Sequence, residues 1–411
     1  MRQALRSLEG RNLRLYFSGQ FVSFVGTWVQ QVALAWIAYR ITGSPLVLGL
    51  VVFCNHVPAL VLGPLAGVLA DRYPRLNILI ATQTLELLVA ACLVYMASIG
   101  ALTGQSLVWA ALVLGIGVAL AMPARQAMIA EMVERDGHLA NAIALNSVSF
   151  NIARLVGPAC GAAILAAFGD VACFAVNAAS YVVEICALLM IRVVARVPPH
   201  ERGSLRQGLA YLRGASMPRW LLLTVACSGA ALAPLVTLLP VFAKQVFGGG
   251  IDSLGTLLAC SGLGSLMAGL ALANRRYVSG LSLKVVVGCL CGGASAAIFS
   301  WNQHFPTAVA LMIVSGWSTV MIVTSSHILL QSLIPDHLRG RVMAFFGMAY
   351  GGALSFASLA SGALAGWFGA RPLILLSAVL YLGIGLLLNR ALPAIRVEAR
   401  SILVAKGLVP K

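Results

Sequence analysis

Charged side chains are scarce in this chain. Asp, Glu, Lys and Arg make up 10% of 411 residues, acids number 12 in all, and 60% of the side chains are hydrophobic. A mean hydropathy of +0.94 lies far outside the globular range, so no soluble core could absorb this much apolar surface. The period-2 alternation of a membrane barrel is also missing, and the long apolar runs must therefore satisfy their own backbone groups as α-helices. The nine cysteines form no Cys-x-x-Cys pair and no zinc-like spacing with histidine, so they read as small buried hydrophobes and no metal or disulfide framework is implied. No nucleotide loop, nucleophile elbow or metal-ligand cluster occurs, which argues against an enzyme.

Long apolar runs are what remains. A hydrocarbon core of roughly 30 Å needs about 20 apolar residues per span. Gly, Pro and charge clusters mark off twelve such runs, near 15–39, 47–70, 77–97, 106–128, 142–167, 172–192, 219–241, 253–273, 282–301, 306–328, 342–366 and 371–390. All but four of the 28 Lys and Arg fall at one set of span ends; Arg40, Lys244 and Arg371 lie at the other, and Arg154 lies within a span. The positive-inside rule then puts both termini in the cytoplasm of a bacterial inner membrane. Arg2, Arg6, Arg11 and Arg14 precede a first span too long for a cleaved signal peptide, so it reads as an uncleaved span.

The fold class is an all-α polytopic membrane protein with an N-terminal six-helix bundle over 1–191, a cytoplasmic linker over 192–218 and a C-terminal six-helix bundle over 219–411. Six Arg fall from Arg192 to Arg219, the linker carries the pair Pro198-Pro199, and Leu205 to Leu212 has the pattern of a short amphipathic helix at an anionic surface. The halves repeat weakly. At an offset of about 200, Leu139 to Phe168 lies over Arg339 to Phe368, Gly169 falls on Gly369 and Asp136 on Asp336. Duplicated halves with a path between them are a transporter architecture.

The stretch Gly67-Val68-Leu69-Ala70-Asp71-Arg72-Tyr73-Pro74-Arg75 resembles the signature loop of the major facilitator superfamily, with Gly67, Asp71, Arg72 and Arg75 matching and Pro74 and Leu76 departing. The resemblance implies the twelve-span major facilitator fold with two pseudo-symmetric bundles. It also implies that Asp71 latches onto the start of span eleven near Arg339 and Arg341; the bland alternative is a charged turn that sets topology. In span five, Arg154-Leu155-Val156-Gly157-Pro158-Ala159-Cys160-Gly161 resembles the Gly-Pro-x-x-Gly core of an exporter motif of that superfamily, and a plain packing kink would use Gly157, Pro158 and Gly161 equally well. Arg125, where many members keep an Arg, joins the gate with Glu131 or Glu134, or else snorkels. Asn12 to Gln20, Gly26 to Gln31 and Thr42-Gly43-Ser44-Pro45 look like the subfamily of enterobactin exporters and macrolide efflux proteins.

An Arg in hydrocarbon needs a partner, and the acids well inside spans are Glu86 and Glu184, so Arg154 is expected to pair with one of them. That network reads either as proton coupling or as a static ion pair, with His56 and His327 as alternative proton carriers. By the resemblance, spans one, four, seven and ten line the cavity. Gln20, Ser23, Thr27 and Gln31 on one helical face, and Ser315, Thr319 and Ser326 on another, are candidates for substrate contact or for interhelical hydrogen bonds. The reading that follows is a monomeric alternating-access exporter of a small organic or amphiphilic molecule, driven by the proton gradient without cofactor, metal or nucleic acid. An importer, a lysophospholipid flippase and a non-transporting scaffold or sensor are the alternatives.

Overall fold

The computed structural model describes residues 10–133, 139–192, 205–273, 280–335 and 338–405. Glu134, Asp136, Asp336 and most of the linker before Leu205 lie outside them. Among the described residues, eleven helices are long and apolar enough to cross a membrane. They are α1 (Arg11–Thr42), α2 (Pro45–Arg72), α3 (Arg75–Ser98), α4 (Gly104–Met132), α5 (Leu139–Leu189), α7 (Ser216–Val241), α8 (Ile251–Ala273), α9 (Leu281–Trp301), α10 (Phe305–Leu333), α11 (Arg339–Phe368) and α12 (Ala370–Ala405); the short α6 (Leu205–Gly214) precedes α7. Helix α5 has 51 residues, more than twice what a span needs, and it breaks at Gly169 into two arms, which restores twelve spans.

Local signals set the ends. Thr103 and Ser106 form a reciprocal capping box at the start of α4 (3.0 and 3.1 Å), Pro45 opens α2, and Gly43 closes α1 in the left-handed region, its N–H donating to the Tyr39 carbonyl at 2.8 Å. The repeat seen in the sequence is a repeat of backbone shape. Gly169 (φ 77°, ψ −171°) and Gly369 (φ 78°, ψ 172°) make the same turn at the ends of corresponding helices, a conformation essentially restricted to glycine.

In the first half α1 lies against both arms of α5, while α2 and α3 pack on α4; in the second half α7 packs on α11 and α12, and α8 and α9 on α10. The halves meet along two pseudo-symmetric seams, α2 with α11 and α5 with α8. Both seams depend on missing side chains. A Cβ on Gly362 would stand 2.6 Å from the Pro45 carbonyl and 2.8 Å from the Gly49 Cα, and one on Gly262 would stand 2.7 Å from the Arg154 carbonyl. That carbonyl has lost its helical donor to Pro158, so α8 closes on the one turn of α5 with a spare acceptor.

The seams seal only one end. One hydrophobic cluster runs through both halves at the end remote from the termini, including Trp36, Leu48, Leu239, Phe242 and Ala365. There the π-helical turn Phe242–Val246 places Gln245, whose amide donates to the Tyr39 hydroxyl across the halves at 2.7 Å. At the end bearing the termini, two separate clusters appear, one from each half. Leu65, Val68 and Leu69 of α2 are exposed there. The halves are therefore joined at the far end and parted at the terminal end.

Replacing Gly169 by Ala should cost roughly 1–3 kcal/mol by forcing a Cβ into this region of backbone space. A lowered melting temperature of purified protein, with Gly366→Ala in open helical surface as control, is the expected outcome; equal melts would refute the assignment of the turn.

Candidate functional site

A polar cluster sits inside the first half. Arg125 of α4 reaches Glu184 on the second arm of α5, with Nη2 3.3 Å from Oε1, and their side chains are 17% and 2% exposed. With its amide oriented to satisfy its neighbours, Gln83 of α3 accepts from Arg125 and donates to Glu184 Oε2 at 3.3 Å. Glu86 of α3, also buried, lies in electrostatic range of Arg125 and Glu184, its carboxylate against α4 where Gly117 leaves room. Tyr16 and Tyr181 close the cluster, Gln20 donates to the Tyr16 hydroxyl at 3.2 Å, and the ring of Phe24 faces the Arg125 guanidinium at 5.5 Å. The acids outnumber the guanidinium by one: with both carboxyls ionised the cluster carries a net negative charge, and with one protonated it is neutral.

This arrangement corrects two expectations. Arg125 pairs with Glu184 and not with Glu131, which pairs with Arg75 between the start of α3 and the end of α4; Glu134 lies outside the described residues. Arg154 pairs with neither Glu86 nor Glu184. Its guanidinium lies over the ring of Trp28 at 5.8 Å, with Tyr350 of α11 in electrostatic range from the other half. A cation–π contact recovers roughly 0.5–2 kcal/mol. An unpaired Arg at the centre of a span costs about 2.5–3.5 kcal/mol even on insertion scales, so the stack alone does not offset it.

The charged turn behaves differently from the latch expected of it. Asp71 and Arg72 are exposed, and Asp71 makes no ion pair among the described residues; a Cβ on Gly67 would meet nothing within 4 Å. Arg341 is engaged by Gln207 of α6, and Arg339 is exposed at the start of α11. The reason is geometric: this turn lies at the parted end. In span five, Gly157 and Gly161 are approach points. A Cβ on Gly161 would stand 3.0 Å from the Val29 Cα of α1, and Pro158 faces the α8 seam.

The polar stripes expected to line a cavity turn inward within their own halves. Gln20 and Ser23 are buried, and Thr27 hydrogen-bonds Tyr181 on the second arm of α5. Thr319 and Ser326 are buried within the second half, with Thr319 bonded to the Ser315 carbonyl at 2.9 Å and to Tyr381 of α12. Thr27 and Thr319 thus bond across helices, while Ser326 is buried without a hydrogen-bond partner, and small helical faces of this kind pack where backbones approach. Gln31 and Ser315 are partly buried. His56 donates from Nδ1 to the Val52 carbonyl at 3.0 Å and is satisfied locally, and His327 stands edge-on to Phe346 at 5.2 Å. Gln83, Tyr16, Trp28 and Tyr350 escaped the sequence reading; each is unremarkable alone and gains a role only from the helix opposite it.

Residues 4–405 match a family model described as transmembrane secretion effector. Among curated proteins, the staphyloferrin A transporter of Staphylococcus aureus is 26% identical over 82% of this chain and 86% of its own length. Macrolide efflux protein A of Streptococcus pyogenes is 23% identical over 90% and 93%. Among solved structures, the nucleoside transporter NupG shares the fold at a TM-score of 0.71 and 14% identity, covering 94% of this chain and 99% of that one.

Arg125→Met should lower stability by roughly 3–5 kcal/mol, since it leaves two buried acids without a cation. Glu184→Gln should cost less, because Glu86 remains in range of Arg125, and the double variant should be less destabilised than the sum. Unfolding of the purified variants in detergent checks this; additive losses would mean that the pair is not coupled.

Proposed function

The chain belongs to the transmembrane secretion effector family of major facilitator transporters, and from that membership we propose that it exports a small organic or amphiphilic molecule from a bacterial cytoplasm by proton-coupled alternating access. The observation that carries this reading is the closure of two six-helix halves at one end alone. With the termini in the cytoplasm of the inner membrane, as the distribution of Lys and Arg favours, that closure is an inward-open state. The bodies that rock are 1–191 and 219–411, working as a monomer. Asp71 is exposed in this state because its partners at the start of α11 are brought to it when the cytoplasmic end closes. Family membership and the efflux function named for the streptococcal relative support export over import.

Coupling is assigned to the excess acid in the Arg125 cluster. When Glu86 takes up a proton the cluster becomes neutral, and when it releases one Arg125 must balance two carboxylates with the help of Gln83 and the two phenols. The cluster lies on α1, α3, α4 and α5, and α5 also forms a seam with α8, so a change in its charge pulls on that seam. No bound cofactor enters this cycle, and the proton gradient is its energy source.

In efflux-deficient cells given siderophores, macrolides and dyes, wild type should lower accumulation of some compounds, a protonophore should abolish the effect, and Asp71→Asn should weaken it at least several-fold. Glu86→Gln should leave binding intact and remove the dependence on the gradient. Should no compound move, or should Glu86→Gln transport remain gradient-driven, export or the coupling assignment respectively is wrong.

A further inference from the structure

Arg154 is a cation to which the described residues of the first half supply no anion. Every described acid is accounted for elsewhere: Glu184 and Glu86 belong to Arg125, Glu131 pairs with Arg75, Asp170 pairs with Arg40, Asp71 ends α2 at the terminal side, Asp252 opens α8 at the far side, and Glu398 belongs to the last turns of α12. Arg154 stands midway along the first arm of α5, fifteen residues from its start at Leu139, and so at mid-membrane depth. The scaffold does not ask for it. Its counterpart in the repeat is Leu354, a buried residue of α11, so the same helix position is built without charge in the other half.

What surrounds Arg154 is aromatic and comes from both halves. Trp28 stacks on its guanidinium, Phe150 one turn earlier lies 6.2 Å from Trp28 and edge-on to Phe24 at 5.4 Å, and Tyr350 faces it from α11. The residue is partly exposed and stands between Trp28 of α1 and Tyr350 of α11, where the two halves face each other. In the terminal-end-open state water can serve it. Once that end closes, the water is lost, and a bare guanidinium among rings is left without a counter-charge.

We infer that Arg154 is the anchor of a substrate site for amphiphilic organic anions, in which a carboxylate or comparably charged oxyanion meets the guanidinium while an apolar or aromatic body lies against Trp28, Phe150 and Tyr350. The guanidinium offers paired N–H donors that suit a carboxylate, and the ring wall suits a planar body. The anion is then also the condition for closure, because it supplies the charge that lets the two halves meet over Arg154. The inference rests on the transport reading above and adds the substrate class to it. Phe24 links this site to the Arg125 cluster, since the same ring that meets Phe150 also faces Arg125.

The test uses the full chain in nanodiscs of zwitterionic lipid, with empty nanodiscs as background, and calorimetric titration of acid and amide pairs: 2-naphthoate with 2-naphthamide, 4-biphenylcarboxylate with its amide, and decanoate with decanamide. Wild type should bind at least one acid tenfold or more tightly than its amide. Arg154→Gln should reduce that preference below threefold, and Arg154→Lys should keep most of it, which separates charge recognition from loss of fold. A wild type that prefers no acid, or an Arg154→Gln protein that keeps the preference, overturns the inference. Proton-driven flux of neutral or cationic compounds by wild type with no organic anion present would also overturn it while the export reading stands; anion preference without any proton-linked flux would sink export and leave the anion site in place.

Discussion

Nothing polar goes unpaired in hydrocarbon without a reason, and that constraint orders this molecule from backbone to site. It makes the apolar runs helical, since only a helix closes its own hydrogen bonds within a span. It gathers Arg125, Glu184, Glu86 and Gln83 into one cluster from three segments distant in sequence. It also isolates Arg154 as the residue for which the described chain provides a ring but no counter-charge. The same constraint acts on Thr27 of α1 and Thr319 of α10, which bond to tyrosines on neighbouring helices.

Close approach is the second theme. Glycine at 157, 161, 255, 262, 362 and 49 brings backbones within van der Waals contact, and these contacts lie between α1 and α5 or along the two seams between halves. Seams made of backbone and small side chains present smooth surfaces. Two such surfaces can turn against each other with little repacking, whereas interlocked large side chains would have to disengage, so the seams act as bearings for a rocking motion. The single cross-half hydrogen bond described above, from Gln245 to Tyr39, is at the sealed end and is the kind of contact that can break when that end opens.

The fold was legible because its determinants are local. Twelve apolar runs, the amphipathic stretch from Leu205 and the pairing of Gly169 with Gly369 each express a rule that acts within one segment, and each reappears in the structure. The site was legible only in its membership, not in its pairing. Composition marked Arg154, Arg125, Glu86 and Glu184 as residues that need company, yet the partner of each depends on which helices meet and at what depth. Depth was available: Arg125 stands seven residues before the end of α4 at Met132, Glu184 five before Leu189, and Arg154 fifteen after Leu139. At 1.5 Å per residue the first two lie at about the same level near one membrane face while Arg154 sits roughly 10 Å or more deeper, so a count from the span ends separates them. The polar stripes failed for another reason, because periodicity identifies a face without saying whether a cavity or a neighbouring helix covers it.

The ion pairs between described residues, Arg40 with Asp170, Arg75 with Glu131 and Arg125 with Glu184, all lie in the first half. They fasten its spans together near the far end, near the terminal end and inside. The second half has no such fastening between described residues, and there buried serines such as Ser318, Ser325, Ser326 and Ser358 lack partners altogether. Between described residues, two halves of like shape are therefore fastened by different means, the first by charge pairs as well as packing and the second by packing.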